Sequence, residues 1–131
     1  ADNANSPITS ITFYSNLLNR YFVLAWHPDK DTEDKPFIVK EIGKNKDLYL
    51  CKNEAVLLDT FCYFLKELNV DIITGWYSHG YDIPYIIKRL TKLFGNADKL
   101  SPVGNTWLGN KSVYDGYYKI KIRGLDTVDL M

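Results

Sequence analysis

The stretch "ITGWYSHGYDIPYIIKRL", residues 73–90, holds the side chains of this chain best suited to chemistry. A strand-like run stops at Gly75, a loop of aromatic and polar residues follows, and Asp82 and Pro84 stand where a helix begins. In α/β sheets, ligand sites lie beyond the carboxyl ends of strands. A carboxylate in that position can hold a divalent cation. Phosphoryl transfer by a pair of cations about 3.5–4 Å apart needs several carboxylates to converge. Asp82 alone cannot supply them, so its partners must come from elsewhere. The plainer reading is local. Asp is a favoured helix-capping residue and Pro suits a first turn. His79 would then be an ordinary loop histidine, and Tyr77 and Tyr81 a cover for the end of the sheet.

The elements that must position Asp82 follow from periodicity. "VDIITGW", 70–76, is a short β-branched run of the kind that forms a buried strand. The residues from 83 to 94 carry Ile86, Ile87, Leu90, Leu93 and Phe94 at helical spacing, and Gly95 ends them. Upstream, "EAVLLDTFCYFLKEL", 54–68, places Leu57, Phe61, Phe64 and Leu68 on one stripe flanked by Leu58, Cys62 and Leu65, with Asn53 as N-cap and Asn69 as stop. Alternation at 8–14 and the apolar run 21–26 predict an antiparallel hairpin. Residues 47–52 predict a further strand. The charged segment between, 28–47, is read as loop. Its acids at 29, 31 and 33 faintly follow a calcium-loop pattern, but Asp34 stands where glycine is needed and Lys40 where glutamate is needed. "NADKLSPVGNTWLGNKSVYDG" is read as loop-rich. In "YYKIKIRGLDTVDLM", Tyr118, Ile120 and Ile122 alternate with Lys119, Lys121 and Arg123, which predicts a strand with one basic face.

The bulk numbers bound the possibilities. With 131 residues the chain suits one domain, and 46% apolar content argues against disorder. Sixteen basic residues balance sixteen acidic ones, so no global positive field advertises a nucleic-acid partner. That does not exclude a nuclease, whose cation-holding site is itself locally negative. Cys51 and Cys62 sit in apolar surroundings and read as reduced core thiols. No apolar run approaches the roughly 18 residues needed to span a bilayer. The opening "ADNANSPITS" lacks a signal core, so the expectation is an intracellular setting, cytoplasmic, at the nucleoid or virus-encoded in a host cell, without membrane partners.

Taken together, "DIITGWYSHGYDIPYIIKRL" resembles the second exonuclease motif of family B DNA polymerases, in which an aromatic residue precedes a metal-binding aspartate. "SPITSITFYSNLLNRYFVLAW" and "NEAVLLDTFCYFLKELNVDIITGW" resemble the hairpin, helix and strand before that motif. "KLSPVGNTW" and "IRGLDTVDLM" resemble the segments after it, most closely in phage and archaeal-type members. The resemblance covers residues 7–131. It implies an α/β, ribonuclease-H-like exonuclease fold, here incomplete: antiparallel hairpin strands, then helix–strand–helix on a mixed sheet.

The resemblance further implies 3′–5′ proofreading within a DNA-directed DNA polymerase. Asp82 would be the catalytic metal ligand, with two Mg²⁺ or Mn²⁺ ions in the complete domain. Tyr81, and with it Tyr77, would meet the single-stranded 3′ end of primer DNA. Tyr77 departs from the family, which usually has asparagine there: tyrosine keeps a hydroxyl but loses the amide's paired donor and acceptor. The family's Asp-x-Glu pair belongs on a strand before residue 8, where the only acid is Asp2 with no glutamate two residues on, and its Tyr-x-x-x-Asp element belongs after "GLDTVDLM", which stops in mid-pattern. Residues 1–131 are therefore expected to be the middle of the exonuclease domain, inactive alone and completed by the remainder of the polymerase chain. Asp126 and Asp129 are read as structural. The fold's first strand, absent here, would leave unpaired edges prone to strand exchange or self-association. Two other readings stand beside this one: an exonuclease-like scaffold that binds primer–template DNA without catalysis, and a free-standing ribonuclease-H-like nuclease.

Overall fold

The computed structural model describes residues 3–75 and 81–129. The chain divides into two compact units. One is Pro7–Phe64, and the other holds the chain from Leu65 onward together with the described residues before Pro7.

The first unit is a mixed four-stranded sheet with most of one helix. Its strands are β1 (Ser10–Ser15), β2 (Arg20–Ala25), β3 (Phe37–Gly43) and β4 (Lys46–Cys51), in the order β1-β2-β4-β3. The β1–β2 hairpin is antiparallel as the alternation predicts, with Ile11 facing Leu24 and Phe13 facing Phe22. β4 then runs parallel to β2, Val23 opposite Leu48. The residues read as loop at 28–47 contain β3, which forms an antiparallel hairpin with β4 through a turn at left-handed Asn45. β3 escaped sequence reading because it is an edge strand and mostly exposed, so no buried face imposes alternation on it. In the preceding loop the Asp31 carboxylate accepts the Glu33 N–H at 3.0 Å, shaping its own turn.

Helix α1 (Glu54–Glu67) begins where Asn53 Oδ1 accepts the Val56 N–H at 3.0 Å, an N-cap bond. It stops at Asn69, which adopts the left-handed φ of 53°. Within this unit Leu57, Leu58, Phe61, Cys62 and Phe64 are buried beside Phe22, Leu24 and Cys51. The rings of Phe13, Phe22, Tyr49 and Phe64 meet at 4.8–5.6 Å in edge-on and tilted pairs. The buried Glu54 carboxylate accepts the Ile8 N–H at 2.8 Å and ties the start of the helix to the approach to β1. Both cysteines are free and buried. Burial pushes the Cys51 thiol up, which keeps it protonated and inert.

The second unit carries β5 (Ile72–Gly75), α2 (Ile83–Phe94), a short 3₁₀ turn (Asp98–Leu100), β6 (Thr106–Lys111), β7 (Tyr118–Ile122) and β8 (Asp126–Asp129). β5 pairs in parallel with β8, and β6 pairs antiparallel with β7. Two expectations are corrected here. β5 is not buried on both faces, since Ile72 is 58% exposed; an apolar run of this length reads the same whether one or both faces are covered. The segment read as loop-rich contains β6, whose Gly109 and Asn110 hid it, because both residues are depleted in strands.

The closing segment forms β7 and then β8, which carries Asp126 and Asp129, and the two are divided at Gly124. This residue has φ +83°, and a Cβ there would lie 2.7 Å from Pro102 Cγ. Gly124→Ala is therefore expected to cost about 1–3 kcal/mol in urea unfolding. Gly95→Ala, at φ +88° with nothing within 4 Å, should cost less. Equal losses would show that backbone conformation alone, and not the close approach of Pro102, sets the penalty at Gly124.

Candidate active site

Asp82 reaches its position through two local devices. The parallel strand β5 delivers the chain at Gly75, and α2 carries it away from Ile83. The helix is held by its buried face, Ile83, Pro84, Ile86, Ile87, Arg89 and Leu90, and ends at Gly95, whose N–H donates to the Thr91 carbonyl at 2.9 Å. Leu93, expected in that face, is 41% exposed; the buried face instead runs from Ile83 and Pro84 to Leu90.

Asp82 itself does not cap the helix. Its backbone is already helical, at φ −62° and ψ −54°, and its side chain makes no capping hydrogen bond. The local explanation for an aspartate at this point therefore does not account for its carboxylate. Partial desolvation, and secondly the negative charge of Asp129, raise its pKa above the ordinary 3.8. Asp129 is present because β5 and β8 are parallel and in register, Gly75 opposite Asp129. The two strands thus end together, and Asp129 closes β8 at the same end at which β5 releases the chain toward Asp82. Asp126 lies at the other end of β8, opposite Ile72, where its N–H donates to the Asp71 carbonyl at 2.8 Å.

The structure therefore separates the two acids read alike from sequence. Both acids pair with β5 through their backbones, but Asp129 stands at the end where its charge acts on Asp82 and Asp126 at the opposite end. No local signal distinguishes them, since only the register of β8 on β5 does so. Among the described residues no group of three or more His, Cys, Asp or Glu side chains is gathered as a metal set. A carboxylate free of capping duty beside a second anion is the donor type that Mg²⁺ and Mn²⁺ take. The two acids fit a cation site in part.

Tyr81, immediately before Asp82, is 49% exposed, and its ring stacks on Tyr85 with centroids 5.6 Å apart and planes at 27°. Tyr77 and His79 lie outside the described residues. On the same helix, Lys88 Nζ donates to the Tyr118 hydroxyl at 2.8 Å and stands 4.5 Å over that ring, tying α2 to β7. The outer face of β7 and the turn after it present Lys119, Lys121 and Arg123 to solvent, as the alternation predicts.

The family described as DNA polymerase family B, exonuclease domain, matches residues 1–131, the whole chain. The chain belongs to that family. The "DNA-directed DNA polymerase" of Escherichia phage RB69 is 30% identical over 96% of this chain and 16% of its own length. The "DNA-directed DNA polymerase" of Enterobacteria phage T4 is 23% identical over 98% of this chain and 16% of its own length. The "DNA polymerase catalytic subunit" of Saimiriine herpesvirus 2 is 30% identical over 66% of this chain and 10% of its own length. The chain thus spans about one sixth or less of these relatives. Its mixed sheet and two helices are those of a family B exonuclease domain with the ribonuclease-H-like architecture. Among the described residues no helix is long and apolar enough to cross a membrane.

Proposed function

We propose that this chain is the central part of a 3′–5′ proofreading exonuclease within a DNA-directed DNA polymerase, and that Asp82 is one of its metal ligands. The observation that carries this reading is the Asp82 carboxylate, unused by the helix it precedes and set beside Asp129 near the ends of two parallel strands. Bound Mg²⁺ or Mn²⁺, two ions in the complete site, would supply charge stabilisation for the attacking and leaving oxygens. The chain's own residues hold and orient. Asp82 offers a carboxylate oxygen to a cation, and Tyr81 offers a half-exposed ring to the terminal base of a single strand. Stacking of that kind tolerates any base, as removal of mispaired 3′ ends requires. The exposed cations of β7 suit the phosphates that approach such a site. The partners are the single-stranded 3′ end of primer DNA and the remainder of the polymerase chain.

The test is digestion of 5′-labelled single-stranded DNA by the native chain that carries these residues, with Mg²⁺ or with EDTA. Metal-dependent shortening that disappears in Asp82→Ala supports the reading. The 131 residues alone should not shorten DNA, because their described acids at the site are a pair. The second reading is a silent scaffold that only binds primer–template DNA. A folded, DNA-binding native chain that never shortens its substrate would establish the scaffold instead.

The isolated 131 residues are also expected to self-associate. Among the described residues β1 ends the order of its sheet and β5 pairs with β8 alone, and strands at such edges recruit further strands. Light scattering across a concentration series should show mass rising with concentration. A constant monomer mass would refute this.

A further inference from the structure

We infer that Tyr85 is a positioning residue for Tyr81, locked in turn by a strap formed by residues 4–6. The inference rests on the reading of Tyr81 as a stacking platform and adds what orients it. A half-exposed tyrosine at the start of a helix has few neighbours to fix its ring. Residues four apart share a helix face, and Tyr85 uses that spacing to present its ring nearly parallel to Tyr81, at 5.6 Å and 27°. Tyr85 is itself anchored at its far end, where its hydroxyl donates to the Ser6 carbonyl at 2.7 Å.

The acceptor is fixed as well. Down the same stripe of α2, Arg89 Nη1 donates to the Ala4 carbonyl at 2.9 Å and Lys92 Nζ donates to Asn5 Oδ1 at 3.0 Å. The Arg89 bond is buried, and Ala4 is fully buried in the left-handed conformation, at φ 48°. A non-glycine residue keeps that conformation only where its surroundings over-determine it. Three consecutive residues of the strap therefore meet three consecutive turns of α2, and the turn nearest the site ends in the Tyr81–Tyr85 stack.

This arrangement pre-orders the platform. A ring already held in place loses little freedom when a base stacks on it, so the affinity for a terminal nucleotide is not spent on ordering Tyr81. Tyr85 need not touch DNA to contribute.

The experiment uses the native chain that carries these residues, in EDTA so that no digestion occurs. It is titrated into a single-stranded oligonucleotide with 2-aminopurine as its 3′ base, whose fluorescence is quenched by stacking. Tyr81→Ala should abolish the quench. Tyr85→Leu should weaken binding about three- to tenfold, the worth of an aromatic pair, with part of the quench lost. Tyr85→Phe, which keeps the ring and loses the anchor to Ser6, should fall between wild type and Tyr85→Leu, and affinity and quench equal to wild type would overturn the role of the strap. The double variant Tyr81→Ala with Tyr85→Leu should bind no more weakly than Tyr81→Ala alone, since a positioning residue has nothing left to position. Tyr85→Gln replaces the leucine variant if that variant lacks the wild-type circular dichroism.

The failures are distinct. If Tyr81→Ala changes neither quench nor affinity, the platform reading falls and the positioning role falls with it. If Tyr81→Ala acts but removal of the Tyr85 ring does not, or if the two losses add, the positioning role is overturned while the platform stands.

Discussion

Asp82→Ala is expected to raise the stability of the metal-free protein at neutral pH while lowering metal-dependent digestion by at least about a hundredfold. The loss should exceed that for residues that merely support a ligand, which already cost roughly 10–100-fold. The gain follows from the sign of the titration. Desolvation, and then Asp129, raise the Asp82 pKa above 3.8 in the folded protein. The folded state therefore holds this proton more tightly than the unfolded chain does. Deprotonation, as pH rises from the ordinary value through the raised one, favours unfolding, and the penalty is complete above the folded value. Below the ordinary value it is absent. Removing the carboxylate removes the penalty at pH 7, and partial exposure screens the effect to about 1–3 °C in melting temperature. A capping aspartate would behave in the opposite way, with alanine costing roughly 1 kcal/mol. Thermal melts in EDTA at pH 7 and pH 3 separate the two. A lower melting temperature for Asp82→Ala at pH 7 would return Asp82 to a structural role. Mg²⁺ should stabilise wild type and leave the variant unchanged.

Leu90→Ala should be the most damaging single truncation in α2. Leu90 is 0% exposed, and loss of its side chain leaves a cavity under the helix that carries Tyr81 and Asp82. Such truncations cost about 2–5 kcal/mol, a large share of a total stability of roughly 5–15 kcal/mol. Leu93 is the control. Its spacing assigns it to the same apolar face, yet it is 41% exposed, so Leu93→Ala should change stability by about 0.5 kcal/mol or less. Urea midpoints at unchanged slope measure both. Equal losses would mean that Leu93 is covered in the folded protein.

The elements legible in the sequence are those whose signals are local. α1 and α2 carry a buried face at helical spacing, and their ends are marked by residues whose backbone or side chain does the stopping: Asn53, Asn69 and Gly95. The β1–β2 hairpin has an inward face that alternates. The strand–loop–acid–helix order around Asp82 is local too, which is why that residue could be singled out. β3 and β6 were not legible. One is an exposed edge strand and the other contains Gly109 and Asn110, so neither bears the burial periodicity on which strand reading depends.

By itself, then, the sequence determined the family, the two helices, the first hairpin and the candidate metal ligand. Only the tertiary structure decided what surrounds that ligand. Asp126 and Asp129 are three residues apart in one short strand and look alike. The parallel register of β8 on β5 places one beside the Asp82 site and the other at the far end. Likewise, nothing in "ADNANSP" announces that Ala4, Asn5 and Ser6 will be fastened along α2 by Arg89, Lys92 and Tyr85. The physical reason is the same in both cases. Capping, turn and helix signals act over a few residues, whereas strand register and contacts between distant segments are fixed when the chain packs. The chemistry of a carboxylate pair depends on that packing.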